Sequence, residues 1–341
     1  MKARLFSVKT LFCTKCTKCM FFVLCALGAV WSAQYAAAEK IEIAMGYIPN
    51  VQFAPYYIAR EKGFFEEEDL QVTFDYGMST DIMTLVAGGK VDFGISDGDQ
   101  VILARDKGIP VRVVYTMYVK YPVGIVSFRQ KGLSSVSSLR GARVGTPGPY
   151  GSNYIGLQVL LHKAGMSLED IDLEFIEYTQ VESLLSGRVD AAVVFINNEP
   201  VVLRSMGREV NLIEAYRVTP MVSAAIIAGE RLMENRPDLV RRFVRAVARA
   251  GEFILANRDQ VMPLLKKHVP TLTQQNMDIN RRVLFASLDL WVDEDIQRHG
   301  LGYTTREDWR QAIELLHELG MIEQKPAVEE CFTNEFLPGN R

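Results

Sequence analysis

At 341 residues, with 48% hydrophobic, 23% charged and 10% aromatic residues, the chain has the composition of a globular protein long enough for two domains. Its formal charge of −3, from 38 Lys and Arg against 41 Asp and Glu, lacks the basic excess that a nucleic-acid partner demands.

Residues 1–38 read as an export signal cleaved before Glu39. Lys2, Arg4, Lys9, Lys15 and Lys18 precede the apolar run 20–31, which leads into Ala36-Ala37-Ala38. The run is short of the roughly 20 apolar residues that cross a bilayer, so an uncleaved anchor ranks second. Cys13, Cys16 and Cys19 have C-x-x-C spacing but fall inside this signal, and no metal site is expected from them. Cys25 is removed with them, and Phe22, Val23 and Leu24 ahead of it lack the small residue of a lipoprotein box. Cys331 then stands alone, and the exported chain has no internal disulfide. Loss of the five basic residues leaves 33 Lys and Arg against 41 acids, a formal charge of −8.

From Ile41 the pattern is strand, turn, helix, repeated. Residues 41–46 alternate as a strand, 47–50 form a turn, and 54–62 are helical up to Gly63. A second strand is expected over 70–76, a helix over 80–87 and a third strand over 91–95. After the turn 96–99, residues 100–107 are helical and 111–118 form a fourth strand. Strands alternating with helices through short turns predict mostly parallel sheets covered on both faces.

The order then returns. Gly89-Lys90-Val91-Asp92 reappears as Gly187-Arg188-Val189-Asp190, 98 residues later, each copy ending a helix and starting an apolar strand. Met45-Gly46 matches Val144-Gly145, Gly63 matches Gly165, and the strand at Leu70 matches the one at Ile171. Four elements in register predict two similar α/β lobes. The apolar runs 122–128 and 221–228 lie where the chain must cross out and back, which predicts a two-crossing hinge. The division is 39–121 for the first part of lobe 1, 122–228 for the crossings and lobe 2, and 229–341 for the completion of lobe 1 and the C-terminal helices. Residues 236–255 have strong helical periodicity, with Arg241, Arg242, Arg245 and Arg249 on a solvated face. Residues 309–319 form a later helix, and the polar tail from Glu323 is expected to be loosely held.

In open α/β sheets ligands bind beyond the carboxyl ends of strands. Residues 47–53 and 96–99 in the first lobe, with 144–156 and 194–200 in the second, would then line one cleft. The stretch 144–156, V-G-T-P-G-P-Y-G-S-N-Y-I-G, reads as strand, rigid turn and helix start, with free N–H groups at Gly151 and Ser152. It has neither Walker A spacing nor G-x-G-x-x-G, and taken alone it reads first as a tight βα connection. Tyr47, Tyr118, Tyr121, Tyr150 and Tyr154, with Phe53, offer rings to stack on a flat ligand, against core or rim roles for any one of them. Asn50, Gln52, Asp97, Asn198 and Glu199 supply a polar edge. Asp97, just ahead of a helix, has the rival role of an N-cap.

Gly46-Tyr47-Ile48-Pro49-Asn50, the run 59–70 (A-R-E-K-G-F-F-E-E-E-D-L), Gly89 to Ser96 and Gly141-Ala142-Arg143-Val144-Gly145 together resemble the solute-binding proteins of ABC uptake systems. The likeness is to the group related to thiamine-pyrimidine synthase, which also holds taurine, sulfonate and nitrate binders. Pro147-Gly148-Pro149-Tyr150-Gly151 and Asn197-Asn198-Glu199-Pro200 resemble its riboflavin branch, beside the branch for pyrimidine precursors. The resemblance implies a two-lobed type II periplasmic binding fold, with two doubly wound sheets and a hinge. It further implies a monomeric periplasmic protein that closes on a planar heteroaromatic ligand and passes it to a permease and its ATPase, without cofactor or chemistry. A synthase is the alternative, and a sulfonate, taurine or nitrate the alternative ligand. The synthase of this fold consumes its own His and uses a Cys-rich motif, which one Cys at 331 does not match. His162, His268, His299 and His317 are dispersed, with no H-E-x-x-H and no G-x-S-x-G.

Overall fold

A computed structural model describes residues 38–77 and 81–339. The expected export signal, with its four cysteines, lies outside the described residues apart from Ala38, as does Thr80 at the expected start of one helix.

The first strands and helices are β1 (Glu39–Ala44), α1 (Ala54–Glu61), β2 (Leu70–Asp75), α2 (Ile82–Ala87), β3 (Phe93–Asp97), α3 (Gly98–Asp106) and β4 (Val111–Thr116). After β5 (Val123–Phe128) the pattern repeats as β6 (Arg143–Thr146), α4 (Gly151–Lys163), β7 (Asp172–Phe175), α5 (Gln180–Leu185), β8 (Ala191–Phe195), α6 (Glu199–Ser205) and β9 (Val210–Glu214). The chain continues through β10 (Ala224–Gly229), α7 (Glu230–Asn235), α8 (Pro237–Ala256), α9 (Arg258–Leu265), α10 (Met277–Leu288), α11 (Glu294–His299), α12 (Arg306–Glu318) and α13 (Val328–Cys331).

Two five-stranded sheets result, ordered β2-β1-β3-β10-β4 and β7-β6-β8-β5-β9. Replacing β1 to β4 by β6 to β9, and β10 by β5, converts one order into the other, so the internal repeat is a repeat of topology. The apolar crossing runs turn out to be interior strands. β10 lies antiparallel between β3 and β4, and β5 antiparallel between β8 and β9, each carried into the sheet of the other half. Strands covered on both faces read as continuous apolar runs. Val123, Ile125, Val126, Ile226 and Ile227 are accordingly buried.

The repeated tetrapeptide has one structural task in both halves. Asp92 accepts from the backbone N–H of Glu42 and donates its own N–H to the Glu42 carbonyl. Asp190 makes the same pair of bonds with Arg143. Each aspartate thereby fixes the third strand against the first. The register pairs Ile43 with Phe93 and Val144 with Ala191, so the equivalent of Val144-Gly145 is Ile43-Ala44, two residues before the expected Met45-Gly46. The second half covers the intervening elements in three fewer residues, 47 against 50.

Two further expectations are corrected. The arginines of α8 are not simply solvated. Arg242 pairs with Glu39, Arg245 with Glu68 and Arg249 with Glu67, tying the helix to β1 and to the acidic turn before β2. Beneath them Phe65, Phe243 and Phe93 stack in series, their centroids 5.6 and 4.1 Å apart. The tail is also held. Thr333 donates to the Val113 carbonyl at the edge strand β4, Phe332 stacks on Trp309 at 5.3 Å, and Phe336 and Leu337 are buried. Apolar area at Phe332, Phe336 and Leu337 outweighs the entropy of ordering the polar residues between them.

Candidate ligand-binding cleft

A cavity of about 310 Å³ opens where the carboxyl ends of β1 and β3 meet the turns after β6, β7 and β8. This size lies at the lower end of the roughly 300–1,000 Å³ of small-molecule sites. Gly46 makes the first turn possible. It takes φ +71°, and a Cβ there would stand 2.9 Å from Ile82 Cδ1 and 3.2 Å from the Ile95 carbonyl oxygen. The chain then presents Tyr47, whose ring meets Tyr178 from the other sheet edge-on, with centroids 5.7 Å apart and planes at 61°. Asn50 accepts from the Gln52 N–H at 2.9 Å and caps the short turn Val51–Phe53, which delivers Gln52 and Phe53 to the wall. Its side chain is spent on this cap, and Asn50 does not line the cavity.

Opposite, Tyr150 lies half exposed against Gly148, where a Cβ would come within 2.4 Å of its ring. Gly151 follows at φ +73° and opens α4, bringing Ser152 and Asn153 to the wall. Tyr154 is two residues further, about 200° round the helix from Ser152, and faces away from the cavity.

Asp97 occupies the N-cap position of α3, yet its side chain makes no cap bond. It reaches the other sheet instead. Ser152 Oγ lies 2.8 Å from an oxygen of Asp97 and 2.8 Å from an oxygen of the fully buried Asp99. One hydroxyl carries one proton, so the two carboxyls compete for the same Ser152 donor. Burial raises both carboxyls above the ordinary aspartate range, and for Asp97 the neighbouring Asp99 adds repulsion. Tyr121 completes the bridge, its hydroxyl 2.6 Å from Asp99 and 2.9 Å from the Ser152 carbonyl oxygen. It is thus buried under the cavity and does not line it.

The remaining wall comes from β8 and α6. Glu199 accepts from the Phe195 N–H at 3.0 Å and from the Asn198 amide at 3.2 Å. Burial pushes its carboxyl up to about 7 against these bonds. The same burial, with Glu199 nearby, raises the Tyr47 hydroxyl above its usual value. Tyr118 lines the cavity with its hydroxyl 3.4 Å from the Asn197 amide, which also donates to Ser287 of α10 at 2.8 Å.

Of the expected residues the cavity therefore gathers Tyr47, Gln52, Phe53, Asp97, Tyr118, Tyr150, Gly151, Ser152, Asn198 and Glu199. It adds Tyr178 from the turn after β7, Gln180 from the start of α5, and Asn153, Phe195, Met117 and Ser96. The signal for Tyr178 was available, because the carboxyl-end rule applies to the turn after β7 as it does to the others. That turn is shaped by Glu177, which adopts φ +52° and donates its N–H to the Pro147 carbonyl.

The chain is 36% identical over 304 residues to the riboflavin-binding protein RibY of Chloroflexus aurantiacus, covering 88% of this chain and 87% of that one. It is 28% identical over 304 residues to a formylaminopyrimidine-binding protein of Halalkalibacterium halodurans, covering 87% and 91%. Among solved structures, the periplasmic aliphatic sulphonate binding protein SsuA from Escherichia coli superposes with a TM-score of 0.65 over 86% of this chain and 91% of that one, at 14% identity. That likeness speaks to the fold alone, and the two sheets are those of a periplasmic binding protein. The NMT1/THI5-like family model matches residues 50–261, and the chain belongs to that family.

Proposed function

We propose that this chain is the periplasmic solute-binding component of an ABC-type import system, capturing a planar heteroaromatic vitamin of the riboflavin class. The carrying observation is the composition of the cleft wall. Tyr47, Tyr118, Tyr150 and Tyr178 come from both sheets, and Gln52, Asn153, Gln180 and Asn198 place amides between them. Aromatic faces bury a flat ring system, and amides match the alternating donors and acceptors along its edge. The relationship to a riboflavin-binding protein supports the same reading. The two polypeptide crossings, ahead of β5 and of β10, are the natural hinge for closure of residues 122–228 over the ligand, with delivery to a permease and its ATPase.

A binding rather than catalytic role is supported by the relationship to a riboflavin-binding and a formylaminopyrimidine-binding protein. His268 stacks on Tyr57 at 4.8 Å and bonds Glu61, His299 stacks on Tyr303, and neither lines the cleft. Cys331, buried in α13, is not at the wall either.

Titration of the purified protein into riboflavin, followed by flavin fluorescence, tests the reading. Stacking against tyrosine is expected to quench emission with a saturable dissociation constant in the micromolar range or below. A formylated aminopyrimidine in the same titration distinguishes the pyrimidine branch by displacing the flavin. Unquenched flavin, together with a large thermal shift on adding taurine or an alkanesulfonate, overturns the proposed ligand class.

A further inference from the structure

We propose that the cleft selects an uncharged ligand and excludes its phosphate ester, with Asp97 and Glu199 as the residues that set this preference. The inference rests on the functional reading above and sharpens it. Three observations carry it. Among the described residues that line the cavity there is no Lys, Arg or His, and its polar atoms come from amides, hydroxyls, backbone and these two carboxyls. A phosphate brought there would leave water without a counterion.

The second observation concerns the start of α4, whose free N–H groups are the obvious anion cradle. Asp97 and Asp99 already stand against it, both within 2.8 Å of the Ser152 hydroxyl in its first turn. The approach to the positive end of the helix is thus occupied by the protein's own acids, contributed from β3 and α3. The third is Glu199 on the facing wall. Its carboxyl accepts the Phe195 N–H and the Asn198 amide, so the donors at the end of β8 are likewise taken. An anionic ligand meets a carboxyl on each side of the cavity, Asp97 on one and Glu199 on the other.

Riboflavin and riboflavin 5′-phosphate form a matched pair of probes, differing only in the charged group. Their dissociation constants, measured at pH 8 by fluorescence quenching and calorimetry on the same preparation, are expected to differ by about 100-fold or more in favour of riboflavin, the scale set by placing like charges a few Å apart. Glu199→Gln is expected to shrink that ratio at least about fivefold, and Asp97→Asn to act in the same direction if the variant folds. Thermal shifts with inorganic phosphate and taurine complete the panel, and none is expected. Equal affinity for the two flavins, or an unchanged ratio in Glu199→Gln, overturns this inference and leaves the functional reading standing. A protein that ignores both flavins and the aminopyrimidine overturns both.

Discussion

Glu199 provides a quantitative test of the cleft's electrostatics without any ligand. Its carboxyl is raised by burial from 4.5 to about 7, against the pull of the Phe195 and Glu199 N–H groups and the Asn198 amide. Each pKa unit corresponds to about 1.36 kcal/mol, so the displacement is worth about 3 kcal/mol. Between these values the folded protein holds a proton that the unfolded chain has released. Stability is therefore fully present below about 4.5 and is lost as pH rises through about 7. Glu199→Gln keeps the shape and one acceptor but cannot ionise. The stability of the variant relative to the parent is expected to climb by about 3 kcal/mol from pH 4.5 to pH 8, whatever constant offset the lost acceptor adds. Tyr47, the nearest other titrating group, stays protonated throughout because its own value is raised. Asp97 and Asp99 titrate in both proteins and largely cancel in the difference. Urea titrations of ligand-free protein at pH 4.5, 6, 7 and 8 measure the slope. A flat difference across this range, or one of the opposite sign, refutes the account of Glu199 as a carboxyl held out of water.

Ser152→Ala removes the hydroxyl that Asp97 and Asp99 share. A loss of about 1–3 kcal/mol in urea stability is expected, larger at pH 8 than at pH 5, and an unchanged midpoint would mean the bridge contributes nothing. Tyr178→Ala is expected to weaken riboflavin at least about tenfold, while Tyr178→Phe retains most of the affinity because the ring makes the contact. Equal losses in both would assign the effect to the hydroxyl. Gly151→Ala places a Cβ in open space but at φ +73°, so a penalty of about 1 kcal/mol from backbone strain alone is expected in the same urea assay.

Much of this architecture is legible in the sequence because local chemistry and topology agree. The aspartates of the repeated tetrapeptide begin apolar strands in both halves, and each bonds the strand beside it. What the sequence hides is partnership at a distance. The uniform apolarity of β5 and β10 announces burial on both faces but not which sheet receives them. Asp97 precedes a helix and looks like a cap, since nothing in its neighbourhood announces Ser152, 55 residues away. The same holds for the tyrosines. A tyrosine serves equally as cavity wall or as buried hydrogen-bond donor, and only the fold tells Tyr150 at the rim from Tyr121 beneath the floor. In the tail, Phe332, Phe336 and Leu337 are spaced among polar residues without period, so their shared burial has no helical or strand signature.

The glycine-rich start of α4 shows why a shared fold does not carry a shared ligand. Read by itself, Tyr150-Gly151-Ser152 is a set of free N–H groups at a positive helix end and invites an anion. Here the anions are internal, because β3 ends in Asp97 and α3 carries Asp99 two residues later, and both point at Ser152. The hydroxyl at the helix start is thereby held by two carboxyls, which stand where a charged group would approach. Whether this fold accepts a charged or an uncharged guest is thus decided by a few side chains at strand ends, while the strands themselves remain unchanged. The substitution that would reverse the preference follows directly. Asp97→Asn with Glu199→Gln removes both charges at the wall, and the riboflavin phosphate that the parent rejects should then bind within about tenfold of riboflavin itself.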